Sequence, residues 1–213
     1  GHRDIMADII WITVAALAIG YGFGSIPFGL LLTRLGGLGD IRTLGSGNIG
    51  ATNVLRTGNK TIALLTLLLD MAKGAGPVLL AIHFSPDNTL PYAVLGVGAG
   101  AVIGHVFPLW LRFKGGKGVA TLFGVVAGLC WPGALLALAT WLLSAIAFRM
   151  SSAAALVALI ATPTYVWWFY DKITAGVVLA LAILVIARHR ENISRLIQGN
   201  EPRIEFSKKD AAE

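Results

Sequence analysis

Charge is scarce in this chain. Only 13% of its 213 residues are Asp, Glu, Lys or Arg, whereas 56% are apolar. Soluble domains carry about 25% charged and about 45–50% apolar residues. With a mean hydropathy of +0.75, the chain lacks the polar surface needed to face water on every side, and lipid is expected around most of it. Cysteine is nearly absent. Cys130 stands alone, which excludes an intrachain disulfide framework. It lies in an apolar run and reads as a small packing residue, in the core or against lipid. No Cys or His pattern has metal-ligand spacing, so no metal and no cofactor is expected. Acids are outnumbered by bases, 11 to 17, for a net charge of +6. The cations fall between apolar runs, which points to membrane topology rather than nucleic acid.

A span needs about 20 apolar residues to cross the roughly 30 Å hydrocarbon core. Runs occur at 9–33, 62–82, 91–111, 119–131, 133–148, 152–169 and 173–187. The fourth and fifth are separated only by Trp131-Pro132-Gly133, strong punctuation for a helix. The fourth is roughly 20 Å long at 1.5 Å per residue, so it must thin the bilayer or borrow from its flanks. The expected fold is therefore all-α and polytopic, with seven transmembrane helices, the amino terminus outside and the carboxyl terminus cytoplasmic. In that arrangement every Lys and Arg except Arg3, Lys73 and Lys172 falls on or near the cytoplasmic side, as the positive-inside rule requires. Joining 119–148 into one helix would put Arg149 outside. Residues 1–5 read as a tag remnant ahead of a native start at Met6, 6–199 as one membrane domain, and 200–213 as a charged, solvated cytoplasmic tail that includes Lys208 and Lys209. The 26 glycines, many inside spans, read as small-residue helix packing.

Three segments assigned to the cytoplasmic side carry the polar chemistry. The first, 44–56, holds Ser46, Gly47, Asn48, Thr52, Asn53 and Arg56. Its glycines free backbone N–H groups for an anion, and Arg56 can grip two phosphate oxygens. The second, 104–121, holds His105, Lys114, Gly115, Gly116 and Lys117 just before the fourth run. A helix amino terminus, free amides and lysines make a phosphate seat. Gly118 follows Lys117, so this is not a nucleotide-binding P-loop. The third, 188–201, holds His189 and Asn192, on one face if the last helix continues; a basic helix lying on anionic lipid is the plainer reading. Asp70 and Lys73, at i and i+3 inside a span, read first as a structural ion pair. For His105 a structural hydrogen bond is favoured over catalysis.

The segments Gly24-Ser-Ile-Pro-Phe-Gly29, Gly45-Ser-Gly-Asn-Ile-Gly-Ala-Thr-Asn-Val54, Gly104-His-Val-Phe-Pro108, Phe113-Lys-Gly-Gly-Lys-Gly-Val-Ala-Thr121 and Arg188-His-Arg-Glu-Asn-Ile193 together resemble the bacterial acyl-phosphate–glycerol-3-phosphate acyltransferases of the PlsY type. The resemblance implies seven membrane helices in the bacterial inner membrane with a site facing the cytoplasm. It implies transfer of a fatty acyl group from acyl phosphate to the 1-hydroxyl of sn-glycerol 3-phosphate, giving lysophosphatidic acid and phosphate. Partners would be these two substrates and membrane lipid, with no nucleic acid. Ser46, Arg56, Lys117, His189 and Asn192 would be catalytic, the first three holding phosphate. Gly47, Asn48, Thr52, Asn53, His105, Lys114, Gly115 and Gly116 would contact substrate. No His-x4-Asp dyad is present: the fifth residue after His105 is Trp110, and after His83 it is Asn88. Positioning and charge stabilisation are therefore expected to carry catalysis, with a substrate phosphate oxygen taking the hydroxyl proton; His189 as general base is the competing scheme. A transporter for a phosphorylated solute and a metal-dependent phosphotransferase are the rival classes. The second is disfavoured because Asp70 is alone in the interior.

Overall fold

The computed structural model describes residues 2–85 and 90–204. Gly1, Asn88, Lys208 and Lys209 lie outside the described residues. Among those described there are only helices: α1 (His2–Gly24), α2 (Phe28–Leu35), α3 (Ala51–Leu55), α4 (Lys60–Phe84), α5 (Leu90–Val106), α6 (Val119–Leu129), α7 (Trp131–Phe148), α8 (Ser151–Phe169), α9 (Lys172–Ala187) and α10 (Arg190–Ile197). Each apolar run of the sequence contains a helix. Five stretches are long and apolar enough to cross a membrane: Met6–Leu35, Lys60–Phe84, Leu90–Leu111, Trp131–Phe148 and Ser151–Phe169. α9 passes that test only together with α10, from which it is bent by 62°. α6 is shorter, at 11 residues. It parts from α7 at Cys130, one residue before the expected break, and Cys130 is buried in the core.

The chain forms two compact units, Gly1–Trp131 and Pro132–Glu213. In the first, α1 packs on α5 and α4 on α6. Both contacts are made through glycine. A Cβ on Gly24 would fall on the Ala101 backbone and one on Gly124 on the Met71 backbone. Lipid tails supply no hydrophobic drive between helices, so such close backbone packing is what holds them. The expected run at 9–33 is interrupted. Proline cannot donate within a helix and collides with the carbonyl four residues back, and Ser25–Pro27 accordingly separates α1 from α2. The freed carbonyls still need donors. Lys73 Nζ donates to Ile26 O at 2.8 Å and Trp110 Nε1 to Ser25 O at 2.6 Å. Lys73 also sits 2.7 Å from Asp70 Oδ1, with both side chains at most 3% exposed.

In the second unit α8 packs on α9 through small and branched buried residues, among them Ala154, Ala158, Val178 and Ala182. Thr140 Oγ1 and Tyr165 Oη, on α7 and α8, lie 2.8 Å apart in a hydrogen bond. Asp171 caps α9 by accepting from the Ile173 and Thr174 N–H groups at 2.8 and 2.9 Å. Partial burial pushes its carboxyl up, but those bonds and that from the Thr174 hydroxyl outweigh it and hold the group below its ordinary value.

Candidate functional site

The first polar loop is a folded object rather than a slack turn. Asn53, only 2% exposed, stands in for regular secondary structure. Its Nδ2 donates to Ile41 O, Leu44 O and Asn48 O at 3.0, 3.0 and 2.8 Å, and its Oδ1 accepts from Ser46 N–H at 3.1 Å. Leu30, Ile41, Ile49, Val54 and Ala63 form the apolar core beneath. Asp40 starts the turn at Ile41–Thr43 and binds the Arg42 N–H at 3.0 Å. Hydrogen bonds from the Arg42 guanidinium, then its backbone, hold the Asp40 carboxyl well below the usual carboxylate range, with Arg34 adding to them at 2.9 Å. Gly45 has φ of +53°, and a Cβ there would lie 2.6 Å from Arg56 Nη1. The Arg56 guanidinium therefore rests against the turn that carries Ser46. Ser46, Gly47, Thr52 and Arg56 are exposed, Asn48 half-buried and Asn53 buried. The Asn53 amide, expected to meet substrate, is committed to the loop itself.

The second loop departs from expectation in one respect. The amides of Gly115 and Gly116 do not face outward. They donate to Val106 O and His105 O at 3.1 and 3.0 Å, satisfying the last carbonyls of α5, which a helix cannot satisfy by itself. Gly116 is buried against the His105 ring, which a Cβ would overlap. His105 is itself 4% exposed, with Nδ1 3.8 Å from Asp70 Oδ1. Lys117 is half-buried and Lys114 exposed. Gly118, at φ of +102°, caps α6 with no side-chain bond, so the positive end of α6 begins one residue after Lys117. Leu111 packs against the apolar core beneath the first loop, which fixes both loops at the same end of the first unit.

In the second unit the last helix does not continue through His189. It breaks there, and His189 starts α10. His189 is 2% exposed, with Nδ1 2.7 Å from Val185 O. A carbonyl only accepts, so Nδ1 carries the proton, and Nε2 is the nitrogen that accepts one in the neutral ring. Asn192, 5% exposed, donates through Nδ2 to Glu201 Oε1 at 2.6 Å. Sequence reasoning missed Glu201 by assigning it to a solvated tail. Its side chain is 6% exposed, and it also accepts from Ser152 Oγ and Arg195 Nε at 2.6 and 2.8 Å. Partial burial raises the Glu201 carboxyl, but the bonds from Ser152, Asn192 and Arg195 outweigh it and leave it below its ordinary value. The chain then reaches the turn between α7 and α8, where the Ile204 N–H donates to Arg149 O at 2.6 Å. A charged residue followed by Pro202 gave no signal for this docking.

Chemically, the first unit offers an arginine, a half-buried lysine, a hydroxyl and a helix amino terminus at one end, all suited to phosphate. The family description "Glycerol-3-phosphate acyltransferase" matches residues 14–199. A glycerol-3-phosphate acyltransferase of Brucella anthropi is 52% identical over 191 residues, covering 90% of this chain and 92% of that protein. One of Rhodopseudomonas palustris (strain HaA2) is 51% identical over 196 residues, covering 92% and 98%. Crystal structures of PlsY, an integral membrane glycerol 3-phosphate acyltransferase, are 35% identical. The glycerol 3-phosphate form superposes with a TM-score of 0.83 over 93% of this chain and 98% of that one. The lysophosphatidic acid form does so at 0.81 over 91% and 95%. With its apolar helices, this places the protein in a membrane, and the chain belongs to the glycerol-3-phosphate acyltransferase family.

Proposed function

We propose that the protein transfers a fatty acyl group from acyl phosphate to the 1-hydroxyl of sn-glycerol 3-phosphate, releasing phosphate and lysophosphatidic acid. The observation that carries this reading is the Asn53-locked loop. It seats the Arg56 guanidinium against the Ser46 turn, at the same end of the unit as Lys117 and the start of α6. The solved relatives, described in glycerol 3-phosphate and lysophosphatidic acid forms, support the acceptor and the product.

Both reactants carry phosphate, and attack on the acyl carbonyl builds negative charge on its oxygen. Fixed cations and donors stabilise both. The acceptor hydroxyl oxygen forms the new ester bond. The carbonyl–oxygen bond to phosphate breaks, and phosphate leaves with that electron pair. The hydroxyl proton goes to a phosphate oxygen; His189 Nε2 as acceptor is the competing scheme. In this reading Ser46, Arg56 and Lys117 hold phosphate, and His189 and Asn192 act in the same reaction. Gly47, Asn48, Thr52 and Lys114 contact substrate, and Asn53, His105, Gly115 and Gly116 support that contact from within the loops.

The topology belongs to the same reading: seven spans in the bacterial inner membrane, amino terminus outside, loops and carboxyl terminus in the cytoplasm. α6 and α9 each cross singly, and acyl chains enter from the inner leaflet. Purified protein incubated with palmitoyl phosphate and glycerol 3-phosphate is expected to release phosphate and lysolipid, and palmitoyl-CoA is expected not to replace the donor. Turnover with palmitoyl-CoA alone would overturn the donor assignment. Uptake of glycerol 3-phosphate without chemical change would make the protein a transporter.

A further inference from the structure

Asp70 and Lys73 have no part in the chemistry above, yet they are buried at the junction of three elements. Lys73 ties α4 to the break between α1 and α2 through Ile26 O at 2.8 Å. Asp70 faces two basic side chains: Lys73 Nζ at 2.7 Å and His105 Nδ1, on the last turn of α5, at 3.8 Å. His105 in turn carries the second loop. Its carbonyl accepts the Gly116 N–H at 3.0 Å, and its ring lies where a Gly116 Cβ would be. Lys117 is the next residue. One approach of 3.8 Å, one ring contact and one peptide link thus separate a buried carboxylate from a lysine read as holding phosphate.

We propose that Asp70 is a positioning residue that acts through His105 to set the Gly115–Lys117 loop. The proposal rests on the functional reading of Lys117. An intramembrane charge pair is expensive to bury, and a pair needed only for packing has a cheaper apolar substitute. A carboxylate whose charge acts across 3.8 Å on the histidine under the loop has none, because the ring of His105 must stay where Gly116 rests on it. The short reach of the chain from Gly116 makes the ring position and the Lys117 position one variable.

The test separates positioning from stability. Asp70→Leu with Lys73→Met removes both charges at once, a change that buried pairs often tolerate; Ile26 O loses the Lys73 donor but keeps the Phe28 N–H at 3.1 Å. The expected result is a thermal midpoint in detergent close to wild type, with kcat/KM for glycerol 3-phosphate reduced about a hundredfold. His105→Gln is expected to give a similar loss, and all three changes together no more than His105→Gln alone, the sign of residues acting in series. Wild-type kcat and KM in the apolar pair would overturn the proposal, as would losses that multiply. If the apolar pair does not fold, Asp70→Asn replaces it, read by amide hydrogen exchange at Gly115 and Gly116. Faster exchange there with α4 unchanged supports the proposal, and unchanged exchange overturns it. Exchange needs no turnover, so a wild-type protein without acyl transfer would sink the functional reading and leave this measurement decisive.

Discussion

Asn53→Ala isolates how far the first loop, proposed to hold phosphate, depends on a single side chain. Nδ2 has two hydrogens for three carbonyls, so two full N–H bonds and one accepted bond from Ser46 N–H are lost. At about 1 kcal/mol each, that is about 3 kcal/mol, or about a hundredfold in the population of the ordered loop at about 1.4 kcal/mol per decade. All the bonds lie within residues 41–53, so the cost falls on local opening rather than on unfolding of the spans. Arg56 and Ser46 then lose their fixed relation. The assay is phosphate release at saturating acyl phosphate with varied glycerol 3-phosphate, alongside the thermal midpoint in detergent. The expected outcome is kcat/KM lower by about a hundredfold with a midpoint close to wild type. Asn53→Asp should be worse than Asn53→Ala, because it turns a carboxylate toward the same carbonyls. Near-wild-type kcat/KM in Asn53→Ala would refute the reasoning, since the loop would then hold its shape without the amide.

Arg56→Ala and Lys117→Ala are each expected to lower turnover by at least about a hundredfold while leaving the helical signal and thermal midpoint intact; near-normal activity in either removes that residue from the site. His189→Gln is expected to lower kcat but keep the shape of the pH–rate profile, because the proton goes to phosphate; loss of one limb of the profile would instead make His189 the base. Glu201 binds its proton more weakly in the folded protein than its ordinary value of 4.5. Its contribution to stability is therefore complete above about that pH and is lost as pH falls through the lowered folded value. Glu201→Gln should flatten the acid side of a plot of thermal midpoint against pH, and an unchanged acid limb would show that the Ser152–Asn192–Arg195 cluster contributes nothing.

The helical character of the fold was legible because hydropathy reports it directly: seven apolar runs, each with a helix inside. The boundary marked by Trp131-Pro132-Gly133 was legible within a residue or so, falling at Cys130. The interruption at Ser25–Pro27 was not read, although Pro27 stood in the sequence, because the run continued to Thr33 and hydropathy averages over such breaks. The two loops were read as phosphate-binding from residue types, but the direction of their amides was not legible. Whether Gly115 and Gly116 face a ligand or the end of α5 depends on where α5 stops, which is a tertiary matter. Asn53 and Glu201 escaped for the same reason. A polar residue that builds a loop and one that touches substrate have the same one-letter code.

The two loops of the first unit solve one problem by different means. A bound Lys or Arg loses up to about 2 kcal/mol of rotamer freedom when it is ordered, and a site that leaves this to the binding step is weaker by that amount. Here folding bears the cost. Arg56 lies against a glycine whose φ of +53° leaves no room for a side chain between them. Lys117 is half-buried between Gly116, seated on His105, and Gly118, whose φ of +102° turns the chain into α6. The first mounting is anchored by a buried amide and the second by the carbonyls that end α5. Leu111 joins their foundations, so a displacement of α5 against α4 moves the two cations relative to each other. On the proposed function, that makes the glycine-mediated contacts of α1 with α5 and of α4 with α6 part of the geometry of the two cations, since backbone against backbone leaves no side chain to yield.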